Sequence, residues 1–168
     1  LGVFHGMLKP ILFMPSFITC SLSMAAAPEL TKRQTDGQPL CALSTRMILA
    51  SLAIGAAASA GVWLFAPLIA NFFFRQAALL PLLRGSCALI PIIATTHVCG
   101  GIMNALGLQV ASLKISLASG LLGVLTVQFF VPVIGLWGAV VSLGAVQGLT
   151  LLLSLLVLRR SGCIARSR

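Results

Sequence analysis

The sequence predicts an all-α, polytopic membrane helix bundle of about five transmembrane spans, and three observations predict it. Mean hydropathy is +1.11. Hydrophobic residues make up 59% of the chain and charged residues 8%, where a soluble domain carries roughly 25% charged residues. The polar residues are also gathered into short stretches between apolar runs of membrane-crossing length, which takes about 20 residues. Such a chain has too few polar groups to cover a surface facing water, so its remaining polar side chains belong in loops and along internal faces.

The spans follow in order. The first covers residues 2–27, and the second, residues 47–74, is long enough to tilt. The third covers 86–108. The fourth, 115–130, is short but has apolar neighbours on both sides, and the fifth covers 135–158. The connections support this division. Residues 28–46, PELTKRQTDGQPLCALSTR, form the one long polar stretch and hold both acids, Glu29 and Asp36. Residues 75–84 are a short link with Pro81 near a helix start. Residues 107–114 read as a tight turn, and residues 131–135 as an apolar turn made by Pro132 and Gly135. Residues 159–168 form a basic tail, expected to fray.

The net charge of +9 does not point to nucleic acid. The lysines and arginines stand beside apolar runs, and no aromatic stacking platform is interleaved with them. With alternating spans, Lys32, Arg33, Arg46, Lys114, Arg159, Arg160, Arg166 and Arg168 fall on one side of the membrane. Lys9, Arg75 and Arg84 fall on the other side or within it. The side richer in cations is expected to be cytoplasmic, with the N-terminus outside and the C-terminus inside. Cys20, Cys41, Cys87, Cys99 and Cys163 form no C-x-x-C pair and read as small apolar residues rather than disulfide partners or metal ligands. No metal or cofactor is expected. The opening run lacks the basic start of a cleavable signal peptide. A chain that begins at Leu1 rather than methionine is expected to be a piece of a longer protein.

The first span is unusual in carrying Lys9 together with Pro10 and Pro15. On a helical wheel starting at His5, Lys9, Ser16, Thr19, Cys20 and Ser23 fall within roughly 100° of arc. Met14, Phe17, Ile18 and Leu22 fall elsewhere. Polar residues in a span usually face a bundle interior or a water-filled cavity, and proline is tolerated where neighbours satisfy the carbonyls it frees. Two placements fit Lys9. It lines a cavity where it meets an anionic group, or it snorkels to the outer headgroups, which lie roughly 10 Å away along the helix. His5 and Ser16 share its face.

Further polar marks lie deeper in the chain. In the third span His97, Gly101 and Asn104 share one face, as an intramembrane polar site or as a hydrogen-bonded contact between helices. Ser112, Ser116, Ser119, Gly123 and Thr126 line one face of the fourth span. Gly144 and Gly148 form a G-x-x-x-G pair in the fifth, near Gly138 and Ser142. Small residues of this kind let membrane helices approach closely. The sequence contains no P-loop, no Gly-x-Ser-x-Gly, no His-Glu-x-x-His and no carboxylate pair within a span, which argues against an enzyme.

The segment LGVFHGMLKPILFMPSFITCSLSMAAAPEL resembles a span in the second half of the flippases for oligosaccharides and lipid-linked precursors. These include the stage V sporulation protein B-like proteins of the multidrug/oligosaccharidyl-lipid/polysaccharide exporter superfamily. APLIANFFF (66–74), GGIMNALGLQ (100–109) and VPVIGLWGAVVS (131–142) are similar to later features of that family, in the same order over nearly the whole chain. The resemblance implies about fourteen spans in two lobes around a central cavity. This chain would supply part of the second lobe and none of the first. It implies alternating access, a lipid-linked saccharide as substrate, membrane lipid as surroundings and no cofactor. By the same implication Lys9 meets a diphosphate headgroup as a point charge, with His5, Ser16 and Thr19 beside it. Two other readings compete. One is a drug or cation antiporter of the same superfamily, which would favour acids within the membrane. The other is a membrane scaffold or truncated relic that transports nothing.

Overall fold

The computed structural model describes residues 9–36, 40–70 and 80–162. These form six helices: α1 (Lys9–Thr35), α2 (Cys41–Leu68), α3 (Leu80–Ser86), α4 (Leu89–Ala105), α5 (Gln109–Ile134) and α6 (Leu136–Arg160). There is no strand among the described residues. Helices α1, α2, α5 and α6 are each long and apolar enough to cross a membrane. The pair α3 and α4 adds a fifth, broken span bent by 42°. The chain is therefore a multi-pass membrane helix bundle.

The helices extend further than the sequence suggests. Helix α1 continues through Pro28 to Thr35, so most of the expected 28–46 loop is helical. Pro28 lies on an exposed face, where the hydrogen bond it removes costs least. Beyond it Arg33 Nε donates to Glu29 Oε1 at 2.8 Å, one turn apart. Lys32 and Arg33 occupy the last turn, where the helix dipole favours cations. Helix α2 begins at Cys41 rather than at 47, because CALSTRM is built largely of helix formers. Helix α5 spans 109–134 instead of 115–130. The two turns flanking it need only a glycine each. Gly107 (φ 71°) closes α4, with Leu108 N–H donating to Met103 O at 2.9 Å in a Schellman arrangement. Gly135 (φ 63°) separates α5 from α6, and Pro132 is absorbed into the last turn of α5. The end of the expected second span, 71–74, and Arg75 lie outside the described residues.

Two apolar clusters fix the direction of each helix. Leu12, Ala66, Leu82, Leu83, Ile90, Ile93, Ala139 and Val140 gather at one end. Leu30, Met47, Val98, Cys99, Ile102, Met103, Leu106, Ile115 and Leu158 gather at the other. Helices α1, α3–α4 and α6 therefore run one way, and α2 and α5 run back. This alternation places Lys32, Arg33, Arg46, Lys114, Arg159 and Arg160 at a single end of the bundle. At the opposite end Arg84 stacks over Trp63, 5.1 Å from the ring centroid, and Trp137 packs where a side chain on Gly85 would stand. Tryptophan and arginine in this position suit a membrane interface.

Helix α4 is the centre of the bundle and packs against α1, α2 and α6. Ile90, Ile93, Ala94, Val98, Cys99 and Ile102 are fully enclosed. Helix α2 approaches it at Gly55, where a Cβ would lie 2.6 Å from Pro91 Cα. At the break between α3 and α4 the backbone tightens, with Cys87 N–H donating to Arg84 O at 3.3 Å and Ile90 N–H to Cys87 O at 3.1 Å, and side-chain hydroxyls add to these bonds. Ser86 Oγ donates to Leu82 O within α3. From α2, Ser59 Oγ donates to Cys87 O at 2.8 Å. Ser59→Ala should therefore lower stability by about 0.5–2 kcal/mol. Ser21→Ala, which removes an exposed hydroxyl bonded to its own helix, should be silent. Thermal unfolding of both variants in detergent checks this, and equal melting temperatures would refute the role given to Ser59.

Candidate functional site

The polar stripe of α1 faces inward. Ser16, Thr19 and Ser23 are buried, whereas Met14, Phe17, Ile18 and Met24 are exposed. Thr19 Oγ1 donates to Ser16 O at 3.2 Å, and Ser23 Oγ to Cys20 O at 2.9 Å. These bonds to backbone carbonyls allow hydroxyls to be buried without a cross-helix partner. The stripe divides along its length. Ser16 and Thr19 lie closed within the bundle, and Ser16 Oγ has no hydrogen-bond partner. Cys20 and Ser23, further along, reach an open cavity.

That cavity has a volume of about 570 Å³ and opens to the surface of the bundle. Helix α1 contributes Cys20, Ser23, Met24 and Ala27. Helix α4 contributes Thr96, His97, Gly100, Gly101, Asn104 and Ala105. Ser112, Ile115 and Ser116 come from α5, and Thr150 and Ser154 from α6. The main helix contacts join α5 to α6 and α4 to α1, α2 and α6, with none of that extent between α1 and α5. Helices α1 and α5 therefore stand as the two sides of the cavity, with α4 and α6 behind.

The expected intramembrane site is brought together here, since His97, Gly101 and Asn104 all line the cavity. His97 Nε2 is buried and has no hydrogen-bond partner among the described residues. Its ring meets Phe13 edge-on, with centroids 6.0 Å apart. Lys9 begins α1 one turn before Phe13, and His5 lies outside the described residues. The expectation that Ser16 and Thr19 line a cavity does not match this arrangement. Close packing of α1 against α4 encloses both, and the cavity wall on α1 starts at Cys20.

The expected packing stripe of the fourth span also divides. Ser112 and Ser116 line the cavity. Ser119 is buried, and a Cβ on Gly123 would stand 3.0 Å from Val146 Cγ2 of α6. Of the G-x-x-x-G pair, a Cβ on Gly144 would stand 3.1 Å from Leu89 Cδ2, and one on Gly148 would meet nothing within 4 Å. Thr150 and Ser154 escaped the sequence reading. Their signal is a polar pair at i, i+4 within a leucine run, which places both on one face. Among the described residues, no three His, Cys, Asp or Glu side chains gather as a metal site. No protein-family model, curated protein or solved structure matches the chain.

Two neighbouring glycines have opposite surroundings. A Cβ on Gly101 would stand 2.5 Å from Ser23 Oγ, while one on Gly100 meets nothing within 4 Å. Gly101→Ala should separate α1 from α4 and cost about 1–3 kcal/mol. Gly100→Ala should be neutral or slightly stabilising, since alanine is favoured over glycine in a helix by about 1 kcal/mol. Equilibrium unfolding of the two variants checks the contrast.

Proposed function

We propose that these spans form part of the second lobe of a bacterial flippase that carries lipid-linked oligosaccharide or peptidoglycan precursor across the plasma membrane. The observation that carries this reading is the polar cavity, set among membrane-crossing helices and open on one flank. Polar groups within a membrane are costly and tend to mark substrate pathways. A hydrophilic headgroup must pass through hydrocarbon while its lipid tail stays outside. A polar cavity with one open flank meets that need, and a first lobe opposite would close it. Rocking of the two lobes would then expose the cavity to each side in turn. The resemblance of the sequence to the flippase family supports the same reading.

The end of the bundle holding Lys32, Arg33, Arg46, Lys114, Arg159 and Arg160 is assigned to the cytoplasm by the distribution of positive charge. The N-terminus of the chain is then outside. Lys9 begins α1 near the opposite end, and the resemblance implies that it meets an anionic diphosphate. Among the described residues lining the cavity there is no acid, which favours this substrate over a cation and so speaks against the antiporter reading.

The protein carrying these spans should move a fluorescent undecaprenyl-diphosphate disaccharide between the leaflets of proteoliposomes. Lys9→Ala should slow the initial rate about 10-fold or more, the loss expected for one charge-assisted hydrogen bond, and Lys9→Arg should stay close to the parent. Equal rates for all three would remove Lys9 from the mechanism. No translocation by the parent would favour a scaffold.

A further inference from the structure

We propose that α2 and α3 form a binding site for an anionic phospholipid, whose phosphate pairs with Arg84 and whose acyl chain lies along α2 beneath Trp63. The proposal rests on the membrane bundle and takes nothing from the flippase reading. Arg84 is exposed in α3, and its guanidinium stacks over Trp63 of α2 at 5.1 Å. Among the described residues the ion pair is Arg33 with Glu29, and Arg84 has neither an acid nor a carbonyl partner. The sequence has two acids, Glu29 and Asp36, and both stand at the close of α1, at the opposite end of the bundle. A guanidinium stays charged and carries five N–H donors. Stacking on a ring occupies its face and leaves the donors at its edge. Its counter-anion therefore comes from outside these residues, and at a membrane interface the abundant one is lipid phosphate.

Two features choose the lipid. Trp63 already gives a ring face to Arg84, and the guanidinium would repel a choline or ethanolamine cation brought beside it. A headgroup such as phosphatidylglycerol brings phosphate without a competing cation. Toward the middle of the membrane, Ala60, Ala56 and Leu52 continue the Trp63 face of α2 at helical spacing, and all are exposed. The two alanines leave a shallow strip beneath the indole, bounded by larger side chains, in which an acyl chain can lie. From Trp63 to Leu52 the strip runs roughly 16 Å, about one leaflet of a hydrocarbon core ~30 Å thick. On the other side of α3, Trp137 of α6 fills the space beside Gly85. Arg84 is thus carried on a short helix held between two tryptophans, which fixes the cation at the height of the lipid phosphates.

Trp63 and Trp137 are the two tryptophans of this sequence, so Trp137→Phe leaves Trp63 to report alone. The full chain with that change is placed in phosphatidylcholine vesicles holding a rising fraction of dibrominated phosphatidylglycerol or of dibrominated phosphatidylcholine. Bromine on an acyl chain quenches an indole that it touches. Phosphatidylglycerol should quench Trp63 at the lower fraction, with a relative affinity of about 5-fold, the effect of one interfacial cation. Arg84→Gln, which keeps a stem to cover the ring, and Arg84→Ala should each bring the two lipids to parity. Arg46→Ala, at the far end of α2, should leave the preference unchanged. Equal quenching by the two lipids with Arg84 in place would overturn the proposal, whether or not the Arg84 variants fold. A preference that persists in both Arg84 variants, or falls as far in Arg46→Ala, would overturn it as well. The same series on the unaltered chain, with both tryptophans emitting, gives the comparison should Trp137→Phe fail to fold.

Discussion

The close approach of neighbouring helices to α4 is the constraint on which the bundle depends. In lipid, apolar burial gives little drive for helices to associate, so contact rests on fit and on satisfied polar groups. Gly55 and Gly101 provide the fit, one toward α2 and one toward α1. Satisfaction comes from Ser59, which donates to Cys87 O at the break before α4. At the other end of α4, Thr31 Oγ1 donates to Ala105 O at 3.3 Å and Gln34 Nε2 to Leu106 O at 3.5 Å. These carbonyls end a helix and would otherwise be unpaired. The extension of α1 past Pro28 therefore completes the far end of α4.

The cavity follows from the same packing. With α1 drawn onto α4 and α5 drawn onto α6, the outer helices do not close on each other. Their small polar residues are left facing the space between. Gly123 lets α5 approach α6 above the cavity, since a Cβ there would stand 3.0 Å from Val146 Cγ2, so the stripe that packs at one height becomes a wall at another. The outer face of α5 is strongly apolar, with Leu117 and Leu121 each 66% exposed, and suits lipid. A helix apolar on one side and hydroxylated on the other is what a cavity within a membrane requires.

The overall architecture was legible because hydropathy reads span number directly, and the alternation of cations predicted which helix ends share a side. Helix ends were less legible. The polar residues of 28–46 and the segment 107–114 suggest connections, yet Glu29, Arg33 and Gln34 are used within α1 and α5 begins at Gln109. Single glycines, Gly107 and Gly135, make the turns that the sequence spreads over 107–114 and 131–135. His97 and Asn104 were readable as a shared helical face. Ser16 and Thr19 lay on the right face of α1 but at the wrong height, since a wheel projection discards position along the axis. Ser112 and Ser116 carry no local mark that distinguishes a cavity wall from a packing seam. Only the placement of α4 decides between them.

The central claim is that α5 borders a water-reachable cavity on one face and lipid on the other. Single cysteines at Ser116 and Leu117, in a chain without its native cysteines, test it most directly by their reaction with a membrane-impermeant maleimide in intact bilayers. The account predicts that Ser116→Cys reacts readily and Leu117→Cys stays nearly inert, although the two are adjacent. Equal reactivity at both positions, or a reversal, would contradict it.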